Sequence, residues 1–249
     1  MGGLSHRYIA TLPRHCVARA LCFGFSLSLC VSPVRTCVQG APFWLEPGDC
    51  VMQPPEIRHR VLESTAGLEV IEIGCPAIHD TFAEHAITLP SPGPPQPDRI
   101  FGGQRFVRHV AATRTWQPWR SGARQPSDTS ETGWECADTG IADGSNGVAS
   151  VKVIRRTMLA APTLPASTPL AKHAGEFLFF FVLVGKVTIC TIDEGRKTRH
   201  DLEAGDSLSI PAGLGHTVGW EQCGPDVTEF LEVALPGVLP LELVSEPPQ

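Results

Sequence analysis

The sequence has little of what marks several large classes of protein. Positive charge is scarce, with 20 Lys and Arg against 26 Asp and Glu and a net charge of −6. Because contacts to phosphates supply most non-specific affinity for nucleic acid, this acidic chain is not expected to bind it. The nine cysteines include no C-x-x-C pair, which excludes zinc-finger spacing. The sequence has no P-loop, G-x-G-x-x-G or G-x-S-x-G motif, so nucleotide binding and serine-hydrolase chemistry lack support.

Glycine and proline are abundant. The 249 residues include 24 Gly and 23 Pro, a density that favours short strands joined by tight turns over a helix bundle. The hydrophobic fraction of 42% is enough for a sizeable core, and the length corresponds to one or two domains. The irregularly spaced cysteines are interpreted as buried or free thiols, which favours a reducing compartment such as the cytoplasm for the body of the chain.

The first 45 residues differ from the rest in charge, because they contain four Arg and neither Asp nor Glu. Within them, residues 20–32 form an apolar run that is shorter than the roughly 20 residues needed to span a bilayer, so no membrane span is predicted. Three interpretations stay open for this leader: a signal peptide, an organelle transit peptide, and a tail foreign to the domain that follows.

An internal repeat is the strongest signal in the sequence. The pattern L-E-x-G-D-x4-P-x4-H occurs without a gap at residues 45–59 and again at residues 202–216. A Glu-bearing apolar segment follows each copy, at residues 68–73 and 228–233. Gly-Asp is turn chemistry, the next residues fit a short strand, Pro opens a second turn, and His begins another strand. Duplicated domains with short strands are typical of a β-sandwich or barrel.

Each copy resembles the second motif of the cupin superfamily, G-x5-P-x-G-x2-H-x3-N. The later copy matches at Gly205, Pro211, Gly213 and His216, with Trp220 in place of the final Asn. The earlier copy matches at Gly48, Pro54 and His59, with Glu56 at the second Gly position. The resemblance covers residues 41–78 and about 134–236. It implies an all-β fold, a duplicated double-stranded β-helix (cupin jelly-roll) barrel in which the N-terminal copy is partial.

The resemblance divides the chain into four parts. These are a leader at 1–40, a partial N-terminal cupin at 41–88, a Pro-rich linker at 89–99, and the C-terminal cupin with its entry strands at 100–240. Upstream of Gly48 the leader stands where a first cupin motif belongs. Either the leader supplies strands, another chain completes the sheet, or the start of the chain is wrongly assigned. The last is favoured, and His59 is not expected to be a metal ligand.

The first cupin motif, G-x5-H-x-H-x3–4-E-x6-G, implies a divalent metal (Fe, Mn, Ni, Cu or Zn) held by two His and a Glu together with the His of the second motif. Anchored on Gly185, the C-terminal copy has His173 at the second His position, with Ala171 and Leu178 at the first His and Glu positions. Glu176, two residues from the lost Glu, is predicted to substitute. The predicted metal ligands are therefore His173, Glu176 and His216. The alternatives are a solvated His173, a cavity-lining His216 and a Glu176 that pairs with Lys172.

Two functional hypotheses have nearly equal support from the sequence. The first is a metal-dependent, dioxygenase-like cupin enzyme that acts on a small organic molecule, with Glu176 as the residue that accepts a proton or orients the substrate. The second is a non-catalytic small-molecule-binding or structural bicupin whose metal site has decayed. A metal-independent isomerase ranks last, since the only Tyr is Tyr8 in the leader. Homodimerisation through sheet edges follows from the family resemblance alone.

Some local structure is also predicted. The apolar run Phe177–Val184 is typical of a strand buried on both faces, and residues 149–156 alternate as a strand that opens the C-terminal barrel. Residues 100–110 are expected to form a further strand. Trp116, Trp119 and Trp134 are interpreted as packing between sheets.

Overall fold

The computed structural model describes residues 7–11, 25–30, 33–38, 42–66, 68–75, 98–119, 133–156, 167–219 and 227–244. Contacts divide the chain into two compact units, Met1–Arg114 with Asp143–Asn146 and Thr115–Ala142 with Gly147–Gln249. The described residues are mostly strands, with one single-turn helix, α1 (Ile141–Gly144), and one 3-10 turn (Ala111–Thr113). Within these ranges there is no helix with the length and apolar character to traverse a membrane.

The first unit has ten strands in the described residues: β1 (Arg7–Thr11), β2 (Phe25–Cys30), β3 (Val34–Val38), β4 (Phe43–Leu45), β5 (Cys50–Gln53), β6 (His59–Ser64), β7 (Val70–Cys75), β8 (Ile100–Phe101), β9 (Gln104–Arg105) and β10 (Val107–His109). They form a five-stranded sheet in the order β1-β7-β2-β5-β10, a three-stranded sheet β4-β3-β6, and the pair β8-β9. A small core of Val34, Leu45 and Val51 lies within this unit.

The leader supplies strands to the first unit. β2 lies between β5 and β7, and β3 lies between β4 and β6. These pairings correspond to the first of the three explanations, strands supplied by the leader, and do not test the favoured one, a wrongly assigned start. The physical reason is that β5 and β7 would otherwise present rows of unpaired backbone N–H and C=O groups. β10 pairs with β5, so residues up to 114 lie in the first unit and not, as the predicted boundary at 99/100 implies, in the second.

The second unit is a jelly roll. Its described strands are β11 (Gln117–Pro118), β12 (Trp134–Asp138), β13 (Ser150–Arg156), β14 (Ala171–His173), β15 (Phe177–Val184), β16 (Lys186–Asp193), β17 (Arg196–Glu203), β18 (Ser207–Ile210), β19 (Gly215–Gly219), β20 (Thr228–Leu235) and β21 (Leu241–Leu243). One sheet has the order β11-β12-β13-β20-β15-β18 and the other β17-β16-β19-β14-β21. The all-β jelly-roll prediction is confirmed.

The core of the second unit lies between its two sheets. It combines Phe180 and Phe230 from the six-stranded sheet with Ile189 and Val218 from the five-stranded sheet. β15 spans Phe177–Val184 as predicted, and its first six residues are buried.

Two of the three tryptophans pack in this core, as predicted. Trp119 and Trp134 lie 6.3 Å apart between ring centroids, and each packs edge-on against Phe230, at 6.0 and 5.4 Å. The third, Trp116, lies under the guanidinium of Arg155, whose Cζ is 3.8 Å from the ring centroid.

Two of the cysteines illustrate the predicted thiols. Cys37 and Cys136 are buried and form no disulfide. Burial raises the pKa of both thiols, so both remain protonated at neutral pH. This state fits a structural role in the core.

The two copies of the sequence repeat form the same turn. In the first copy, the backbone N–H of Glu46 donates to Asp49 Oδ2 at 3.1 Å, and Glu46 O accepts from the N–H of Asp49 at 2.9 Å. In the second copy, Glu203 and Asp206 make the same two bonds at 2.9 and 2.8 Å. Asp49 is also buried and accepts from the N–H of Ala111 at 2.7 Å, whereas Asp206 is exposed.

This difference predicts unequal costs for removing the two carboxylates. Asp206→Ala is expected to lower the free energy of unfolding by about 1 kcal/mol, the typical worth of a turn-capping bond. Asp49→Ala leaves two backbone donors without their carboxylate in a buried position, so a loss of about 2–3 kcal/mol is expected. Urea denaturation of both variants measures the two losses. Equal losses would contradict the assignment of a second bond to Asp49.

The second turn of each copy uses a left-handed backbone. Gly213 has φ of 78°, and at the equivalent position Glu56 has φ of 63°. Glycine adopts this conformation without strain, whereas other L residues do so at a cost. A Cβ at Gly213 would meet no heavy atom within 4 Å, so the backbone angle alone opposes a side chain there.

Reciprocal substitutions at these positions are expected to have opposite signs. Glu56→Gly should raise the free energy of unfolding by about 0.5–1 kcal/mol, and Gly213→Ala should lower it by about 1 kcal/mol. Denaturant unfolding of both variants beside the parent gives the signs. A destabilising Glu56→Gly would show that the glutamate side chain contributes more than its backbone costs.

Candidate functional site

His216, the histidine of the second repeat, is buried on the inner face of the second unit. It lies in β19, directly opposite Thr191 of β16 and Ala171 of β14. Val218, two residues further along β19, belongs to the core between the sheets, so strand alternation directs His216 to the same interior. Its side chain is 3% exposed, and its Nδ1 lies 3.4 Å from the carbonyl oxygen of Leu214.

His173 faces His216 from the end of β14. It is 2% exposed, and the two imidazole centroids are 6.3 Å apart at an interplanar angle of 74°. Nε2 of His173 lies 2.8 Å from the carbonyl oxygen of Ile210. A carbonyl only accepts, so Nε2 carries the proton and Nδ1 carries the lone pair. That Nδ1 is buried and has no hydrogen-bond partner in the described part of the chain.

The environment of the pair keeps His216 uncharged. The pKa of His216 is lowered from 6.5 to about 4, mainly by burial and to a smaller extent by the neighbouring His173, while the bond to the Leu214 carbonyl opposes the shift. His216 is therefore a neutral imidazole at pH 7. The ring of His216 thus carries one lone pair and one N–H donor and no positive charge.

Glu176, the third predicted site residue, lies apart from the two histidines. It is exposed at the bend before β15, and its backbone N–H donates to the carbonyl oxygen of Leu235 at 2.9 Å. The family positions for the first His and the Glu are apolar here, since Ala171 is fully buried and Leu178 lies in the core. The structure thus brings together His173 and His216 and does not bring Glu176 to them.

The donor set of the described residues is small. No group of three or more His, Cys, Asp and Glu side chains in the described ranges could hold a metal ion. The smallest common catalytic set for a metal of this kind is two imidazoles and a carboxylate. The facing histidines supply the imidazoles without the carboxylate.

Sequence reasoning missed two polar residues that share this inner face. Thr191 is opposite His216 in the register, and its Oγ1 lies 3.0 Å from Nε2 of His200 in β17. Both residues lie outside the cupin motifs. The period of two from Ile189 to Thr191 would have assigned Thr191 to the core face, but only strand pairing places it beside His216.

The first unit does not repeat this arrangement at the equivalent residue. His59 begins β6, is exposed, and has its Nδ1 3.4 Å from the carbonyl oxygen of Ile57. The backbone contact resembles that of His216, whereas the surroundings differ. Of the two motif histidines, His216 is therefore buried and His59 is exposed.

Several solved structures resemble this chain in fold. One is the formate complex of the oxalate decarboxylase of Lactobacillus farciminis, at 13% identity and a TM-score of 0.58, with 89% of this chain and 73% of that chain covered. Another is a mutant oxalate decarboxylase of Bacillus subtilis, at 15% identity and a TM-score of 0.56, with 89% and 66% covered. The chain thus spans about two thirds of their length. At these identities the likeness concerns the fold alone.

The sequence comparisons give one family match. No curated protein sequence matches this chain. The cupin domain family model matches residues 163–233, which contain both buried histidines and nearly all of β14 to β20. This part of the chain is therefore similar to a cupin domain, and the structural neighbours share its fold.

Proposed function

We propose that the second unit is a non-catalytic cupin barrel that binds a small organic molecule at the pair His173 and His216. The observation that carries the proposal is the buried, unpartnered Nδ1 of His173. A buried polar atom without a partner costs about 1–3 kcal/mol, and a ligand that donates a hydrogen bond removes that cost. The pair therefore supports ligand binding more directly than it supports a purely structural role.

The surroundings of the pair also suit a small molecule. The ring of Phe180 lies 6.4 Å from that of His216, between centroids, and provides an apolar wall. Thr191 and His200 extend the polar side of the same inner face. An apolar lining with a few fixed polar groups is the usual composition of a small-molecule site.

The family and the oxalate decarboxylase neighbours are consistent with a divalent metal, as the sequence analysis predicts. The described donors do not fit a resident metal of that kind, because they fall one carboxylate short of the smallest catalytic set. Glu176, the predicted ligand and catalytic residue, is exposed. The proposal therefore takes no step through a metal, and the dioxygenase-like reaction has less support than binding.

Screening a fragment library by ligand-observed NMR tests the binding role. We expect fragments that bind the parent and lose affinity by about tenfold or more in His173→Phe, the worth of one lost hydrogen bond in a buried site. His59→Gln is the matched control, since His59 is exposed in the first unit, and it should leave affinity unchanged. If no fragment binds the parent more tightly than His173→Phe, the proposal is contradicted.

Metal analysis separates the binding role from the metal-dependent enzyme. Purified protein, loaded with Mn²⁺, Fe²⁺ or Zn²⁺ and then desalted, is expected to hold far less than one metal per chain, because two imidazoles without a carboxylate are a weak site. Mass spectrometry of the metal content, with His173→Ala and His216→Ala beside the parent, gives the answer. If the parent holds one metal per chain and both substitutions remove it, the metal-dependent enzyme becomes the better-supported function.

The depressed pKa of His216 predicts a pH dependence of stability. The unfolded chain takes up a proton near pH 6.5 and the folded chain only near pH 4, so stability falls as the pH is lowered through this window. The loss is at most about 3 kcal/mol at pH 4. Unfolding free energies between pH 7 and pH 4 should show this fall in the parent and in His59→Gln but a shallower one in His216→Phe. Equal slopes in parent and His216→Phe would show that burial does not hold the ring neutral.

A further inference from the structure

β17 is the longest of the strands that end the two sheets of the second unit. In the described residues, the five-stranded sheet ends at β17 and β21, and the six-stranded sheet ends at β11 and β18. β17 has eight residues, whereas β11, β18 and β21 have two, four and three. The edge of a terminal strand is a template to which a further strand can add. β17 therefore offers a partner strand more length than the other three.

The hairpin that joins β16 to β17 determines which backbone groups point to this edge. Its two-residue turn, Glu194 and Gly195, has φ angles of 46° and 82°, and Asp193 pairs with Arg196 across it. Two positive φ angles are typical of a type I′ turn, whose closing pair exchanges both backbone hydrogen bonds. Since bonded and non-bonded pairs alternate along the ladder, the N–H and C=O groups of residues 197, 199, 201 and 203 point away from β16.

The L-E-x-G-D turn agrees with this alternation at the end of the strand. The N–H of Glu203 donates to Asp206 Oδ2 at 2.9 Å, and the C=O of Glu203 accepts from the N–H of Asp206 at 2.8 Å. Glu203 therefore uses both of its outward backbone groups within the turn. The segment 197–201 is the part of the edge that can pair with a strand, and all of its residues except the half-buried His200 are exposed.

The outer face of β17 has a charge order that is complementary to itself. Leu202 belongs to the core between the sheets, so the odd-numbered residues of the strand face outward. They are two cations followed by two anions: Lys197, Arg199, Asp201 and Glu203. If a second copy of β17 runs antiparallel beside the first, with His200 on the two-fold axis, Arg199 lies opposite Asp201 and Lys197 lies opposite Glu203. The symmetry repeats each of these opposite-charge pairs on the other side of the axis.

Neighbouring registers lose this complementarity. A register centred on Arg199 places that guanidinium opposite its own counterpart, and one centred on Asp201 does the same with the carboxylate. Like charges directly opposite each other are destabilising. A shift by a single residue places the outer face of one copy against the inner face of the other, which strand alternation forbids. The charges of β17 therefore select one register.

Within one chain, Arg199 already pairs with Asp201. Its Nε lies 3.0 Å from both carboxylate oxygens, and the two side chains are 39% and 51% exposed. An exposed pair of this kind contributes little. The two residues are separated by about 6.5–7 Å along the strand, whereas directly opposite residues on paired strands have Cβ atoms about 4.5–5.5 Å apart. A second copy thus brings a closer partner to each group and disrupts no buried contact.

We propose that two copies of this chain associate through β17, antiparallel and centred on His200, so that their five-stranded sheets join edge to edge. The inference is independent of the proposed function, because it rests on the outer face and the edge of the strand. A second copy is favoured over an unrelated partner because the charge order of β17 matches itself. The association also brings together the His200 side chains of the two copies, each of which contacts Thr191 on its own inner face at 3.0 Å.

Charge reversal tests this association in the full chain. Sedimentation velocity at low ionic strength should show a monomer–dimer equilibrium that weakens in high salt, because exposed charges are screened. Arg199→Asp and Asp201→Arg should each weaken self-association by about tenfold or more, since each places like charges across the axis. An equimolar mixture of the two variants should form a dimer as tightly as the parent does, because the acidic strand of one then meets the basic strand of the other.

The mixture distinguishes association from an effect inside one chain, because both variants lack the bond between Arg199 and Asp201. Glu242→Arg, an equal change of charge at an exposed residue of β21, is the matched control and should associate like the parent. A parent chain that stays monomeric overturns the inference. A dimer that both variants retain, or a mixture that associates no better than its components, overturns it as well.

A cysteine on the two-fold axis tests the register. Opposite residues of a non-hydrogen-bonded pair have Cα atoms about 4.5 Å apart, which is within the range of a disulfide. His200→Cys should therefore give a disulfide-linked dimer on mild oxidation, seen on a non-reducing gel above the level of the parent. Thr198→Cys is the matched control, since the two copies of residue 198 lie about 13 Å apart along the strands. Equal cross-linking of both variants, or none in His200→Cys, overturns the register. This test stays decisive where charge reversal lowers the yield of folded protein.

Discussion

The hydrogen bond from His173 Nε2 to the carbonyl of Ile210 is the interaction on which the second unit's interior depends. It joins β14 of the five-stranded sheet to β18 of the six-stranded sheet at 2.8 Å. By fixing the proton on Nε2, it leaves the lone pair on Nδ1 and turns the ring toward His216. The same type of contact orients ligating histidines in metal sites, but here the neighbouring positions hold Ala171 and Leu178. The polar interior therefore consists of two facing imidazoles without a carboxylate.

Low polarity around these rings decides their chemistry. Desolvation outweighs the bond that His216 makes to the Leu214 carbonyl, so the ring stays uncharged where a solvated imidazole would begin to titrate. On the proposed function, such a barrel would distinguish ligands by what they donate, because a buried acceptor without a partner in a medium of low dielectric constant is costly.

The two units share their turns and differ in their interiors. The L-E-x-G-D turn is the same in both, since a carboxylate that accepts the N–H of the residue three positions earlier needs only local sequence. The interior differs because it needs donors from several strands. His59 has the same place in the motif as His216, yet it is exposed. The turn is therefore the same in both copies of the motif, whereas the pair of His173 and His216 lies in the second unit.

The sequence by itself determined the duplicated turns, the strand Phe177–Val184, the all-β class and the two histidines of the site, because each depends on residues close together in the chain. It did not determine the role of Glu176, since a shift of two residues keeps the face only inside a strand and Glu176 precedes β15. Nor did it find Thr191 or His200. Their neighbours are set by the pairing of strands far apart in sequence, and that register was decided by tertiary packing alone.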